Sequence, residues 1–148
     1  MNTTPRNPPP SAPRRRGVVG VLIHESRWLV IRRSRHVAAP RKLCFPGGGI
    51  EHGESEAEAL VRELQEELGV RAEAQRQLWR SQTARGVDLA WWHARLLDPI
   101  SAMAPNPAEV EEAFWMPPTE IRHLPELLDS NIEFLDAWTA GEFQLPDL

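Results

Sequence analysis

Hydrophobic and polar residues alternate along the chain in a way that predicts several strands. Two apolar, β-branched runs make up GVVGVLIHESRWLVIRR, residues 17–33, and the polar break at His24-Glu25-Ser26 between them predicts a β-hairpin. Further strand-like stretches, with imperfect alternation, are AEAQRQLWRSQ and VDLAWWHARLL. A short strand is predicted for AFWM.

Helical patterns are interleaved with these strands. A strong helix is predicted from Ser55 to Leu68, where Gly69 ends it as a C-terminal glycine does. Two later helical stretches are PTEIRHLPELL and NIEFLDAWTAG, with a proline-rich loop, PISAMAPNPAEVEE, ahead of them. Strands interleaved with a few helices predict a mixed α/β sandwich rather than a helical bundle or an all-β barrel.

The composition is that of an ordinary globular chain. Its 148 residues suit one domain, with 41% hydrophobic residues, 26% charged residues and a net charge of −4. An acidic balance argues against sequence-independent binding of nucleic acid, which relies on a basic surface. No apolar run approaches a membrane span, and the single cysteine, Cys44, excludes an internal disulfide. We therefore expect a cytoplasmic protein with neither nucleic acid nor a membrane as its partner.

The first sixteen residues differ in composition from the rest. The segment MNTTPRNPPPSAPRRR contains five of the fourteen prolines, four arginines and no acidic residue. Such a segment cannot bury enough apolar surface to order itself, so residues 1–16 are predicted to form a disordered, solvated tail. An organelle-targeting peptide is the alternative, although prolines oppose the amphipathic helix that it needs.

The predicted helix at residues 55–68 concentrates acidic residues on one side. At about 100° per residue, Glu63, Glu66 and Glu67 share a face beside an apolar stripe of leucines. Like charges at these spacings repel each other, and the helix contains no lysine to offset them. Two interpretations stay open: a solvated acidic surface, or a site for a hard divalent cation such as Mg²⁺ or Mn²⁺, which takes carboxylate oxygens.

Three consecutive glycines come just ahead of this helix, in PGGG at residues 46–49. They let a ligand approach the backbone closely and offer it carbonyl and amide groups. A tight turn alone would also use Pro46 and glycines. Beside clustered carboxylates, such a loop suits a phosphate chain bridged by metal ions, which favours the metal interpretation.

The segment from Gly48 to Val70 resembles the signature of the Nudix hydrolase superfamily at every defining position. Gly48 is followed after five residues by Glu54, and after seven more by RELQEELGV at residues 62–70. The resemblance implies an α/β/α sandwich around a mixed β-sheet, here assigned to residues 17–148. It also implies hydrolysis of a nucleoside diphosphate linked to another group, with Mg²⁺ or Mn²⁺ as cofactor, and it leaves a homodimer open.

The resemblance carries roles onto single residues of the helix. It implies that Glu66 and Glu67 bind the metal, and that Glu63 is a metal ligand or the general base. Hydrolysis needs a water made nucleophilic near phosphorus and neutralisation of the charge that develops on the phosphate oxygens. Because the carboxylates are mutually coupled, the sequence leaves open which of them takes the proton.

Further roles implied by the resemblance lie around this helix. Arg62 is expected to orient a glutamate of the motif by ion pairing, and Glu54 to support that structure or the metal. The backbone carbonyl of Gly48 is a further expected ligand. Many members of the superfamily add a glutamate from a distant loop. The stretch AEVEEAFWM offers Glu109, Glu111 and Glu112; we favour Glu112, with ordinary loop charges as the alternative.

Within the superfamily, the chain looks most similar to the MutT-like group, which cleaves nucleoside triphosphates to a monophosphate and pyrophosphate. Arg33 and Phe45 correspond to nucleotide-pocket positions of that group, and Asn131 to an asparagine that contacts a purine edge. An asparagine offers a base both a donor and an acceptor, but Asn131 is also suited to be a helix N-cap. Cys44 stands where that group has a polar or acidic residue, which weakens the case for oxidised guanine.

The predicted function is therefore a MutT-like pyrophosphohydrolase of nucleoside triphosphates. The first alternative is the same chemistry on ADP-ribose, a nucleotide sugar or a dinucleoside polyphosphate. The second is a module that binds a nucleotide without hydrolysing it. Such modules commonly lose motif glutamates, whereas Glu63, Glu66 and Glu67 are all present.

Overall fold

The computed structural model describes residues 14–146. It contains seven strands, β1 Arg16–His24, β2 Arg27–Arg33, β3 Leu43–Cys44, β4 Gly47–Gly49, β5 Ala72–Gln82, β6 Asp88–Leu96 and β7 Val110–Met116. Its helices are α1 Glu56–Leu68, α2 Pro118–Ile121 and α3 Asp129–Thr139, with a 3₁₀ turn at Ile100–Ala102. No helix of the described part is long and apolar enough to cross a membrane.

The predicted hairpin at the start of the chain is confirmed. Strands β1 and β2 pair antiparallel at Ile23 with Trp28 and at His24 with Arg27. The two residues between the strands, Glu25 and Ser26, have φ angles of 50° and 63°, the left-handed pair that a two-residue turn needs to match the strand twist.

The sheet is mixed. The first part of β1 runs parallel to β6 and antiparallel to β4, while β6 pairs antiparallel with β5 at the edge. Strand β2 pairs antiparallel with β3 and with β7. The turn-forming glycines of β4 are thereby fixed along β1, and they lie beside Glu63 and Glu67 in the second half of the helix that follows them.

One helix covers each face of this sheet, as the α/β/α expectation requires. Successive residues of β1 and β2 point to opposite faces, so both strands are buried on both sides. On the α1 face, Val18, Leu22, Leu29 and Ile31 pack with Leu60, Leu64 and Leu68. On the α3 face, Val19, Val21, Trp28 and Val30 pack with Phe134 and Leu135.

Helix α1 has the limits that the sequence predicts. Ser55 is its N-cap: its side chain accepts from the Glu58 amide, and the Glu58 side chain accepts from the Ser55 amide, which completes a capping box. At the other end Gly69 adopts a φ of 66°, and its amide donates to the carbonyl of Gln65. These caps fix the two ends of the helix.

Several expected boundaries are corrected. The folded domain already includes Arg14–Arg16 of the predicted tail, because Arg16 opens β1 and Arg14 pairs with Asp88; residues 1–13 lie outside the described residues. The strand predicted for AFWM extends back to Val110. The helix predicted over PTEIRHLPELL stops at Ile121, and turns lead on to α3.

Candidate active site

The glycine turn of β4 is packed tightly against its neighbours. A β-carbon on Gly47 would lie 2.8 Å from the Cα of Val19. A β-carbon on Gly48 would lie 2.5 Å from both carboxylate oxygens of Glu63. The backbone contact at Gly47 requires glycine, whereas a β-carbon at Gly48 would displace the Glu63 side chain. The Gly48 backbone thus lies against the acidic face of α1.

Arg62 connects the carboxylates of the motif. Its Nε donates to Glu54 Oε2 over 2.7 Å and its Nη2 to Glu54 Oε1 over 2.8 Å, a two-pronged contact. Its Nη1 donates to Glu63 Oε1 at 2.9 Å and to Glu66 Oε2 at 3.3 Å, and Nη2 also donates to the carbonyl of Gly49 at 2.9 Å. The predicted orienting contact of Arg62 is therefore present, and it reaches three glutamates.

These contacts shift the ionisation of their partners. The Arg62 hydrogen bonds, with a further one from the Glu51 backbone, lower the pKa of Glu54 to about 2. The hydrogen bond to Glu54 in turn raises the pKa of Arg62 above its ordinary value. Both groups thus stay charged throughout the range in which the protein would work.

Three carboxylates converge beside Gly48. Ligand atoms of Glu63, Glu66 and Glu109 all lie within 4.8 Å of one another. The Oε2 atom of Glu109 is buried and has no hydrogen-bond partner among the described residues. A buried carboxylate oxygen without a partner is costly, and a cation would satisfy it.

The distant-loop glutamate in this group is Glu109, not the expected Glu112. Glu112 lies on β7 opposite Arg32 of β2 and is exposed to solvent. Glu109 comes just before β7 begins, where the loop passes the end of α1. The sequence offered both residues. Because β7 begins at Val110, Glu109 lies in the preceding loop and Glu112 on the strand, and AFWM alone does not reveal that start.

Glu67 lies deeper than the other motif glutamates. It is 5% exposed, and its Oε1 accepts from the amide of Gly47 at 3.2 Å. Burial raises its pKa well above the ordinary value, and repulsion by Glu63 adds to the effect. Burial also raises the pKa of Glu63, against the hydrogen bond from Arg62. Carboxylates crowded and buried in this way fit a divalent cation, which would favour their charged forms.

A cleft of about 570 Å³ opens beside the glycine turn. Gly48 and the three expected nucleotide-pocket residues, Arg33, Phe45 and Asn131, all line it. Sequence reasoning missed other lining residues, namely Arg15, Arg16, Thr83, Val87 and Ser130. The only local signal for Arg15 and Arg16 is their charge, which their surroundings in the sequence assign to the proline-rich tail.

Asn131 is not a helix N-cap. Helix α3 begins after Leu128, and Asn131 is buried in its first turn. Its Oδ1 accepts from the backbone amide of Phe45 at 2.8 Å, and its Nδ2 donates to Ser130 Oγ at 3.2 Å. The amide therefore joins α3 to the segment between β3 and β4 that carries Phe45. Arg33 Nε donates to the carbonyl of Ala38 at 2.7 Å.

Comparison with known proteins gives a consistent result. The family model of the NUDIX domain matches residues 13–138. The chain is 47% identical over 53 residues to an Escherichia coli 8-oxo-dGTP diphosphatase, a match covering 35% of this chain and 41% of that protein. It is 33% identical over 126 residues to an E. coli CTP pyrophosphohydrolase, covering 83% of this chain and 90% of that protein. An Erythrobacter litoralis RNA pyrophosphohydrolase is 35% identical over 102 residues, with coverage of 54% and 62%.

Solved structures agree on the fold. The E. coli ORF135 protein superposes with a TM-score of 0.71 at 25% identity, covering 92% of this chain and 96% of that one. A MutT protein from Methanosarcina mazei Go1 gives a TM-score of 0.72 at 18% identity, with coverage of 90% and 99%. The match spans less than two thirds of the length of the 8-oxo-dGTP diphosphatase and of the RNA pyrophosphohydrolase. From the matched family model and the relative aligned over most of both chains, this chain belongs to the NUDIX domain family.

Proposed function

We propose that the protein is a metal-dependent pyrophosphohydrolase of nucleoside triphosphates that releases a nucleoside monophosphate and pyrophosphate. One observation carries the proposal: the carboxylates of Glu63, Glu66 and Glu109 converge within 4.8 Å beside the Gly48 turn, next to a cleft of nucleotide size. Water adds across the bond between the α and β phosphates, so one phosphoanhydride breaks and no further reactant is needed.

The residues present fit Mg²⁺ or Mn²⁺, which takes carboxylate and carbonyl oxygens. Glu63, Glu66, Glu67 and Glu109 would hold it, together with the carbonyl of Gly48. When bound, the ion would neutralise charge on the phosphates and make a water more acidic.

The chain's own contribution is orientation. Arg62 holds Glu63 by one carboxylate oxygen and is itself held by both oxygens of Glu54. We assign Glu63 as the candidate proton acceptor because it lies against the glycine turn at the edge of the cleft. Removing Glu54 would take away the two-pronged contact at Arg62 Nε and Nη2, so Glu54 acts by positioning Arg62.

The cleft supports a nucleotide as the substrate. Phe45 and Asn131 are buried at its inner side, and Arg15, Arg16 and Arg33 bring positive charge to it. Relatives named for CTP and for 8-oxo-dGTP support a triphosphate. A relative named ADP-ribose pyrophosphatase, 42% identical over 55 residues, keeps that substrate as the alternative.

A substrate panel tests the proposal. Purified protein with Mg²⁺ or Mn²⁺ is offered common nucleoside triphosphates, 8-oxo-dGTP, ADP-ribose, a nucleotide sugar, a dinucleoside polyphosphate and 5′-triphosphorylated RNA, and the products are separated by ion exchange. We expect monophosphate and inorganic pyrophosphate from at least one free triphosphate. Cleavage of ADP-ribose with triphosphates untouched would move the assignment to the alternative.

A variant separates hydrolysis from binding alone. Glu66→Gln should abolish turnover while circular dichroism shows an unchanged fold. Should the wild-type protein bind nucleotide and yet turn over none of the panel with either metal, the protein would be a sensing module instead. We also propose a cytoplasmic location; a homodimer stays open and is checked by light scattering.

A further inference from the structure

Glu109 reaches Glu63 and Glu66 from the loop of residues 103–109, here called the Glu109 loop. Two sets of hydrogen bonds hold this loop in place. The first set joins it to the last turn of α1. The amide of Ala104 donates to the carbonyl of Leu68 at 2.8 Å, and the amide of Asn106 donates to the carbonyl of Glu67 at 2.9 Å. The loop thus supplies donors to carbonyls that a helix end would otherwise leave unpaired.

Asn106 also shapes the loop itself. Its Oδ1 accepts from the amide of Ala108 at 3.1 Å, which forms an Asx turn. Its backbone carbonyl accepts from the amides of Glu109 at 2.9 Å and Val110 at 2.7 Å. The Asn106 backbone therefore connects the helix that carries the motif glutamates to Glu109, and the Asn106 side chain holds the turn between them.

The second set comes from Ser34, at the end of β2. Its amide donates to the carbonyl of Glu109 at 3.0 Å, and its Oγ donates to the carbonyl of Ala108 at 2.9 Å. The same Oγ accepts from the amide of His36 at 3.1 Å. Ser34 is only 3% exposed, so its hydroxyl satisfies two backbone groups in a place where water has little access.

We propose that Ser34 and Asn106 are positioning residues that set the Glu109 carboxylate against Glu63 and Glu66. Neither residue belongs to the motif, and neither carries a charge. The inference rests on the proposed function, since it concerns the metal that this function requires. Groups that orient metal ligands in this way typically change metal affinity about 10–100-fold when removed.

The test measures metal binding without any nucleotide. Mn²⁺ is titrated into wild-type, Ser34→Ala and Asn106→Ala protein, and the free ion is followed by electron paramagnetic resonance. We expect both variants to bind Mn²⁺ about tenfold more weakly. Asn106→Ser, which retains an acceptor oxygen for the Ala108 amide, should regain part of the affinity.

Ser81→Ala is the matched control. Ser81 Oγ accepts from Trp91 Nε1 at 2.9 Å on the β5–β6 hairpin, so the same substitution removes a side-chain hydrogen bond that does not involve the Glu109 loop. It should lower the melting temperature of the metal-free protein yet leave Mn²⁺ affinity unchanged. If Ser34→Ala and Asn106→Ala behave like this control, both residues only stabilise the fold and the inference is wrong.

The test separates this inference from the proposed function. Wild-type protein that binds Mn²⁺ but hydrolyses nothing would end the proposed function, while the ranking of the variants would still decide the roles of Ser34 and Asn106. Wild-type protein that binds no Mn²⁺ at millimolar concentration would overturn both.

Discussion

The carboxylate of Glu63 occupies the space in front of Gly48 that a β-carbon would need. Such a carbon would lie 2.5 Å from both carboxylate oxygens, closer than real contacts allow. Gly48→Ala should therefore displace Glu63 and lower kcat by at least about tenfold, because a ligand or base moved by even 1 Å loses much of its effect. Steady-state hydrolysis with Mg²⁺ measures this.

Gly49→Ala supplies the control in the same turn. A β-carbon on Gly49 meets nothing within 4 Å, so this variant should retain its activity. Equal losses in Gly48→Ala and Gly49→Ala would point to a general intolerance of the turn and not to crowding at Glu63.

A second prediction compares Glu109 and Glu112, the two glutamates that the sequence offers as the metal ligand from the distant loop. Glu109→Gln should weaken Mn²⁺ binding and lower kcat/KM at least about tenfold, since an amide replaces a carboxylate in the cluster. Glu112→Gln, on an exposed position of β7, should bind the ion as the wild type does. Calorimetric titration of both variants with Mn²⁺ checks the assignment. Weaker binding by Glu112→Gln than by Glu109→Gln would identify Glu112 as the ligand instead.

A third prediction concerns the forked contact of Arg62. Lysine keeps the positive charge but cannot form two parallel hydrogen bonds to the Glu54 carboxylate. Arg62→Lys should lose one charged hydrogen bond to Glu54 and lower kcat/KM roughly 10–100-fold, since that bond orients the motif glutamates. Kinetics at saturating Mg²⁺ test this, and wild-type values for Arg62→Lys would show that one point charge is sufficient.

The fourth prediction concerns the alkaline limit of stability. Cys44 is 4% exposed, and burial raises its pKa from 9.0 to about 11. The folded protein holds the thiol proton more tightly than the unfolded chain does. The protonated thiol therefore contributes to the free energy of unfolding below pH 9, and this contribution is lost as pH rises from 9 towards 11. The loss amounts to about 2 kcal/mol.

Few other side chains of this protein titrate between pH 8 and pH 11. The chain has one cysteine and no tyrosine, and Lys42 is its only lysine. Urea unfolding between pH 8 and pH 11 should show falling stability in the wild type and a flatter profile in Cys44→Ala. Equal slopes in the two proteins would mean that Cys44 does not titrate in this way.

Local rules account for most of what the sequence predicted correctly. The hairpin follows from two apolar runs around Glu25 and Ser26, and α1 from a capping serine, an apolar stripe and Gly69. That the motif glutamates lie close to Gly48 was predicted from the resemblance to the Nudix superfamily and not from the periodicity of the helix. These features depend on residues that are neighbours along the chain or within one motif.

The features that the sequence missed depend on distant partners. Choosing Glu109 over Glu112 requires knowing where β7 begins, which its pairing with β2 decides. Asn131 suits an N-cap by type, yet its side chain accepts from the Phe45 amide because α3 packs against the segment that joins β3 to β4. Arg16 belongs to β1 because it pairs with Asp88 of β6 and its carbonyl accepts from the amide of Ile50, and composition alone could not indicate this.

The bonds from Ala104 and Asn106 to the end of α1 have a consequence for the order of folding. The chain between these bonded residues contains the whole β5–β6 hairpin, so joining them carries an entropic cost. We therefore expect the Glu109 loop to dock on α1 late in folding. A bound cation should therefore stabilise an arrangement completed late. It should slow unfolding strongly and change the rate of folding little, so that the cation lengthens the lifetime of the native state.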